Sequence, residues 1–497
     1  MKSYKKRVCC GLLLLFVSGC MSSHPYQPPD LSAYLRDNWA AASRSESLSA
    51  QGAVPVAATA WWEQFEDPVL SGLVEKMVTS NLSLAEARER LVEARANRGV
   101  IGAGRQPAVE LDGAYARAAT GKDAVTYQGP PPGHRANFYQ WGAAAAWEVD
   151  LWSRVAHLER AAEHDLEGLR EAYHGIAVSL VSELVLAYID YRTQESRFLL
   201  VERNLALQQR TLALAEIRQK AGTGSRLDTV RARRLFLQTR ALLPELRLSQ
   251  AQARHAIALL LGQTPGDLEL PAAAALPALP ALGKLGIPAE LLVRRADIRQ
   301  AERGYAAAWS RTEAARAEKY PQLSLSGYFR LQDTVVSGLF NPQAFVYSLG
   351  PGLTFPLFDG GRIAQTVALR QSQAEQARLK LEQVLLKAVK EVEDAVVGSA
   401  QTRQQLAELK LAVAAARTSV GLAQDLYAQG LGDLWQVTQS QQELVVGEES
   451  CLLAERSALA QTVSLYRALG GSWAVLELPD VTLKRSPATI SAKETAP

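Results

Sequence analysis

Six histidines are the first residues to test for chemistry, and their spacing gives them none. His24, His134, His157, His164, His174 and His255 are scattered along the chain. His157 and His164 stand two turns apart on one helix, with no carboxylate or cysteine at metal-ligand spacing. The glycine pairs Gly102-Ala103-Gly104-Arg105 and Gly222-Thr223-Gly224 lack the lysine and the preceding strand of a phosphate loop. No GxSxG elbow occurs, and Glu391, Glu393 and Asp394 lie along helix faces as solvated charges do. A net charge of +3 leaves no nucleic-acid footprint. The reading is of a non-enzyme without cofactor or metal. With no ATPase motif, any transport draws its energy from partners.

The cysteines point elsewhere. Lys2, Lys5, Lys6 and Arg7 precede a short apolar run, Gly11 to Val17, that ends in Val17-Ser18-Gly19-Cys20. The run is too short to span a bilayer, and its end resembles the bacterial lipobox, whose cysteine is lipidated and becomes the first mature residue. Residues 1–19 are therefore read as a signal peptide and Cys20 as a palmitate-type lipid anchor. No Asp follows Cys20 as an inner-membrane retention signal. Cys451 would be left as the one other cysteine, so a structural disulfide is not expected.

The elements around these residues follow one plan, used twice. Gly361 to Gly471 contains no proline and is rich in Ala, Leu, Gln, Glu, Lys and Arg. Leu381, Leu385, Ala388, Val392 and Ala395, then Leu406, Leu409 and Val413, recur at three- and four-residue steps. The pattern predicts a helix of roughly 65 residues, about 100 Å long, a turn at Gly430–Gly432, and a second helix of roughly 35. Such a helix must lie against others of similar length. Ser153 to Gly262 repeats the layout: a shift of 208 sets Gly222 on Gly430, Gly224 on Gly432 and Leu261-Gly262 on Leu469-Gly470. A shift of 214 sets Pro107 on Pro321 and Gly113 on Gly327. The chain reads as a tandem duplication with a period of about 210 residues, too long for a solenoid.

Residues 20–67 form an anchored, Pro- and Ser-rich tether in which Trp61, Trp62 and Phe65 are expected to dock. The first repeat is 68–262, opening with one helix over 68–104. Residues 263–287, with their PAAAALPALPAL run, are a connector; 288–471 is the second repeat and 472–497 a polar tail. Each repeat holds two candidate strands, at about 108–118 and 138–151, then 322–331 and 345–358. Period-two patterns such as Leu323, Leu325, Gly327, Phe329 and Leu331, and lengths near 10 residues, suit tilted transmembrane strands. Four strands cannot close a barrel in lipid, so a membrane reading requires oligomers.

The lipobox, WWEQFEDPVL, the pair GRQPAVELDG and KYPQLSLSG, the pair WEVDLWSR and FPLFDGGR, and YAQGLGDLWQVTQSQQEL with YRALGGSW form an ordered set. From about Cys20 to Trp473 the chain resembles the TolC-like outer-membrane factors, and within them the lipoprotein branch that serves RND-type pumps. The resemblance implies a mainly α homotrimer, with an α-barrel of very long coiled-coil helices and a 12-stranded transmembrane β-barrel built from four strands per chain. It implies an outer-membrane location in a Gram-negative bacterium with the helices in the periplasm. The implied role is passive efflux of drugs or other small toxic compounds, as in multidrug resistance. The implied partners are a periplasmic adaptor (membrane fusion) protein, an inner-membrane RND-type transporter and outer-membrane lipid, with no nucleic acid. No Met- or His-rich cluster suggests metal cargo. A type I protein-secretion duct and a non-channel periplasmic coiled-coil lipoprotein scaffold are the alternatives.

The family's functional positions lie at the helical turns, here 221–227 and 429–434. The resemblance makes Gly222, Thr223, Gly224, Arg226, Leu227, Gly430, Leu431, Gly432 and Leu434 adaptor-docking residues. It also pairs Asp228 with Tyr427 as a latch, a hydrogen bond worth about 1.5–3 kcal/mol at best. Where the family's best-known member carries an arginine and two lumen-facing aspartates, this chain has Gly432, Gln436 and Gln439. A polar amide ring, rather than an acidic iris, is expected.

Overall fold

A computed structural model describes residues 26–30, 60–123, 130–131, 133–272, 275–281 and 294–471. The signal segment, Cys20, most of the tether, part of the connector and the tail from 472 lie outside these residues. Packing divides the chain into two units.

The first unit, built on residues 93–169 and 301–381, holds the sheet. Strands β1 (Ala108–Ala119), β2 (Arg135–Val149), β3 (Gln322–Asp333) and β4 (Phe345–Thr354) form one antiparallel sheet in sequence order. The register aligns Glu110 with Ala144, Ala144 with Tyr328, and Tyr328 with Ser348. One residue further on, Leu111, Ala143, Phe329 and Tyr347 form the next row. Since side chains alternate across a sheet, the two rows lie on opposite faces. One face carries Glu110, Asp112, Gln140, Ser324, Ser326, Arg330 and Gln332. The other carries Val109, Leu111, Trp141, Phe329, Tyr347, Leu349 and Leu353, all exposed. On the polar face Asp112 accepts from Gln140 (2.8 Å) and faces Arg330 (3.5 Å), and Gln332 donates to Gln140 (2.8 Å). On the apolar face Trp141 covers Gly113, where an added Cβ would lie 2.8 Å from the ring.

Two strands stop earlier than expected, while β2 begins earlier, at Arg135, and β3 runs on to Asp333. β2 stops at Val149 because Asp150 turns away to accept the backbone N–H groups of Val155 (3.1 Å) and Ala156 (2.8 Å), capping the next helix. β4 stops at Thr354, ahead of Pro356, which has no N–H for the ladder. Asp359 repeats the cap, accepting from Gly361 (2.9 Å) and Ile363 (2.8 Å).

The second unit, residues 30–92, 170–300 and 382–497, has helices but no strand among its described residues. Its helices are α1 (Pro68–Ser80), α2 (Leu82–Ala103), α3 (Arg154–Lys220), α4 (Arg226–Arg240), α5 (Leu242–Leu260), α6 (Ala296–Ala317), α7 (Arg362–Ala428) and α8 (Leu434–Ala468). Parts of α2, α3, α6 and α7 belong to the first unit. The two long helices, α3 and α7, each run 67 residues, and α8 runs 35. Leu381, Leu385, Ala388, Val392, Ala395, Leu406 and Val413 of α7 are buried, at the alternating steps that let one helix lie along another. α3 is long and apolar enough to cross a membrane by composition, yet 56% of its most apolar window is buried inside the chain.

Two helices expected as single runs are each broken. The segment from 68 breaks at Asn81, whose backbone is extended (φ −69°, ψ 126°). Asn81 Nδ2 donates to the Leu260 carbonyl (2.7 Å), and Oδ1 caps α2 by accepting from Leu84 (3.1 Å). The helix after the first turn breaks at Ala241 into α4 and α5, because Pro244 cannot donate back to Arg240. α8, with no proline, is unbroken. The expected docking aromatics sit in a 3-10 turn, Trp61–Phe65, with Trp61 stacked on Tyr466 at 5.2 Å between centroids. Asp67 then caps α1 and also accepts from the Tyr188 hydroxyl (2.7 Å), which in turn accepts from Arg192 (2.9 Å). Burial, reinforced by Asp67, pushes the Tyr188 phenol above its ordinary range.

Candidate functional site

Both helical turns have one backbone geometry. At the end of α3, Thr223 N–H donates to the Arg218 carbonyl (3.0 Å) and Gly222 N–H to Gln219 (3.1 Å). At the end of α7, Leu431 donates to Leu426 (2.9 Å) and Gly430 to Tyr427 (3.1 Å). This pair of bonds ends a helix on a left-handed residue, and Gly222 (φ +78°) and Gly430 (φ +76°) fill that place. The second glycine of each pair is needed for space instead. A Cβ on Gly224 would lie 2.9 Å from the Arg218 Cβ, and one on Gly432 would lie 3.1 Å from the Leu426 Cβ. Ser225 caps α4 by accepting from Leu227 (3.1 Å), and Asp433 caps α8 by accepting from Trp435 (3.2 Å).

Below the turns, α3, α4, α7 and α8 share one buried cluster of Ala215, Ala232, Tyr427, Leu434 and Val437. Leu434 is 1% exposed, which corrects its expected docking role. It lies with Val437, Gln441 and Leu444 on the packed face of α8, and a docking partner cannot reach it. Leu227, Leu431 (75%) and Trp435 (51%) are presented to solvent at the turns, with Ile217, Val230 and Leu426 exposed beside them. Trp435 was not singled out from the sequence. Its place one residue after a core position, rotated about 100° around the helix, was the available signal. Thr223 and Arg226 are exposed.

Tyr427 is buried, and the structure gives it a partner other than Asp228. The Arg218 guanidinium lies 4.1 Å from its ring centroid and donates to the carbonyls of Tyr427 (2.8 Å) and Ala428 (3.3 Å). Asp228 stands in the first turn of α4, half-buried, its own N–H bonded to the Ser225 carbonyl (3.2 Å). No hydrogen bond joins Asp228 and Tyr427 in the described protomer. Gln436 and Gln439 are exposed on α8, and Gln439 donates to Glu443 (2.8 Å). Among the described residues no group of three His, Cys, Asp or Glu side chains could hold a metal ion.

Comparison with known proteins matches the family model described as outer membrane efflux protein to residues 73–263 and 287–471, one span for each repeat. The solvent efflux pump outer membrane protein SrpC of Pseudomonas putida is 30% identical over 93% of this chain and 97% of its own. The outer membrane protein OprJ of Pseudomonas aeruginosa is 30% identical over 93% of this chain and 95% of its own. Among solved structures, that of the outer-membrane channel OprN superposes with a TM-score of 0.83 at 30% identity, covering 91% of this chain and 100% of that one.

Proposed function

This chain belongs to the outer membrane efflux protein family, and we propose that it serves as the passive exit duct of a tripartite efflux system. The observation that carries this reading is the sheet. Val109, Leu111, Trp141, Phe329, Tyr347, Leu349 and Leu353 are exposed on one face, and Glu110, Asp112, Gln140, Arg330 and Gln332 lie on the other, the arrangement a barrel needs between lipid and a wet lumen. Within one chain β1 and β4 pair on one side only. Lipid leaves no backbone group unpaired, so β4 of one copy pairs with β1 of the next, and three copies close a barrel of 12 strands. The helices support the same assembly. Leu386, Val397, Leu411 and Leu422 of α7 are exposed and fall within roughly 40° of one another at 100° per residue. They share one line along the helix opposite the buried stripe, interspersed with Glu393 and Gln404, and offer spaced apolar contacts to a neighbouring copy.

In this reading a lipid on Cys20 anchors the chain to the outer membrane. A periplasmic adaptor docks on the turns through Leu227, Leu431 and Trp435, beside Thr223 and Arg226. An inner-membrane transporter of the RND type supplies the energy. Gln436 and Gln439 of three copies line the narrowed end as an amide ring, and the contact of the Tyr427 ring and carbonyl with Arg218 biases its closure. The cargo is small toxic molecules, consistent with the solvent efflux role in the name of the Pseudomonas putida relative. A non-channel scaffold would leave the exposed apolar face of the sheet without a role.

The test is surface accessibility of the β3–β4 loop. Asn341→Cys, in a Cys451→Ser background, is treated on intact cells with a membrane-impermeant maleimide. Labelling of intact cells supports the duct. Labelling only after the outer membrane is permeabilised would place the loop in the periplasm and overturn it.

A further inference from the structure

The last carbonyls of a helix have no partner within it, and that end carries partial negative charge. At the end of α7 the partner comes from the other repeat. One guanidinium, that of Arg218 on α3, donates to the Tyr427 and Ala428 carbonyls and lies against the Tyr427 ring at 4.1 Å. The contact runs one way. The residue of α7 equivalent to Arg218 is Leu426, and that of α3 equivalent to Tyr427 is Gln219, so the end of α3 has no matching clasp from α7.

Beyond the apolar cluster below the turns, the seam between the two hairpins carries a polar stretch beside its apolar packing. Asn204, Gln208 and Thr211 follow at steps of four and three on one face of α3, all buried, and Gln441 of α8 donates to Thr211 (2.8 Å). Both amide atoms of Gln208, Nδ2 of Asn204 and Oε1 of Gln441 are buried without a hydrogen-bond partner. Buried amides without partners weaken a contact, and water satisfies them when it opens. The apolar cluster holds the hairpins together beside this stretch, and what joins their ends decides how readily the stretch opens.

We propose that Arg218 is the positioning residue that holds hairpin α3–α4 to hairpin α7–α8 at the turns, and that its release lets the hairpins part along the hydratable seam of Asn204, Gln208 and Gln441. Its consequence for conduction rests on the duct reading; the clasp itself does not.

The experiment measures the distance between spin labels at Thr223→Cys and Leu431→Cys in detergent-purified protein with Cys451→Ser, diluted with unlabelled chains so that one labelled protomer is read. Arg218→Leu installs the side chain that α7 carries at the equivalent place. It raises the separated fraction roughly 10- to 100-fold, the weight of a charge-assisted hydrogen bond with a ring contact. Arg218→Lys falls between, because an ammonium lacks the planar fork. Tyr427→Phe and Asp228→Asn keep the short distance, since both retain the carbonyls and the ring. An unchanged distance in Arg218→Leu overturns the proposal, as does Tyr427→Phe separating as far as Arg218→Leu, which would assign the closure to the tyrosine hydroxyl. Planar-bilayer conductance of the same samples separates the two readings. Labels that part in a protein that never conducts leave the clasp standing and remove the duct.

Discussion

Leu349 lies on the apolar face of β4, 68% exposed, opposite Gly327 of β3. Its neighbour Ser348, exposed as well, faces the polar side opposite Tyr328. In water neither residue has much packing to lose, so arginine at either position would change stability by no more than about 0.5 kcal/mol. In a bilayer the two differ. An arginine on the lipid face near the midplane costs about 2–4 kcal/mol per chain, and about 6–12 kcal/mol for a barrel of three copies. Arginine on the lumen face stays in water. The assay is folding of urea-denatured mature protein into lipid vesicles, followed by the shift of the denaturant midpoint, with outer-membrane yield in cells as a second readout. Leu349→Arg should fold at markedly lower urea, or fail to insert, while Ser348→Arg tracks the parent. Equal behaviour of the two variants would refute the assignment of faces, and with it the membrane role of the sheet.

Two further outcomes follow from particular contacts. The backbone N–H of Ile363, with that of Gly361 and the nearby Arg362, holds the Asp359 carboxyl below its ordinary value of 3.8. Its stabilising contribution is complete above that value and is lost as pH falls through the lowered one. Amide exchange at Ile363, relative to the intrinsic rate, should therefore accelerate on acidification in the parent and show no such step in Asp359→Asn; a parent without the step contradicts the cap. Trp61 is 2% exposed and stacked on Tyr466, so Trp61→Ala should cost about 3–5 kcal/mol by chemical unfolding, and a loss below 1 kcal/mol would mean that the aromatic turn is not docked.

Much of the architecture could be read from the sequence because its signals are long. A proline-free run with apolar residues at alternating steps of four and three leaves few options other than a long packed helix. Period-two aromatics and aliphatics in segments of this length likewise give little besides two-faced strands. The breaks were harder for a different reason. Asn81 ends α1 by reaching the carbonyl of Leu260, far along the chain, so nothing in its own neighbourhood announces it. Pro244 was visible, but its effect was masked by comparison with the unbroken second copy. At the turns the glycines were legible because a left-handed residue has few alternatives. The spacing of Leu434, Val437, Gln441 and Leu444 already marked a buried face and should have assigned Leu434 to the core and Trp435 to solvent. Arg218 was not legible. It sits 209 residues from Tyr427, and only the superposition of two hairpin turns brings them together, while the family pattern directed attention to Asp228.

Whether copies of this chain close a duct is decided by electron microscopy of the detergent-purified mature protein. The expected image is a three-fold particle with a continuous lumen, its narrow end formed by the turns at Gly222 and Gly430. A monomer, or a rod of packed helices with no lumen, would contradict it.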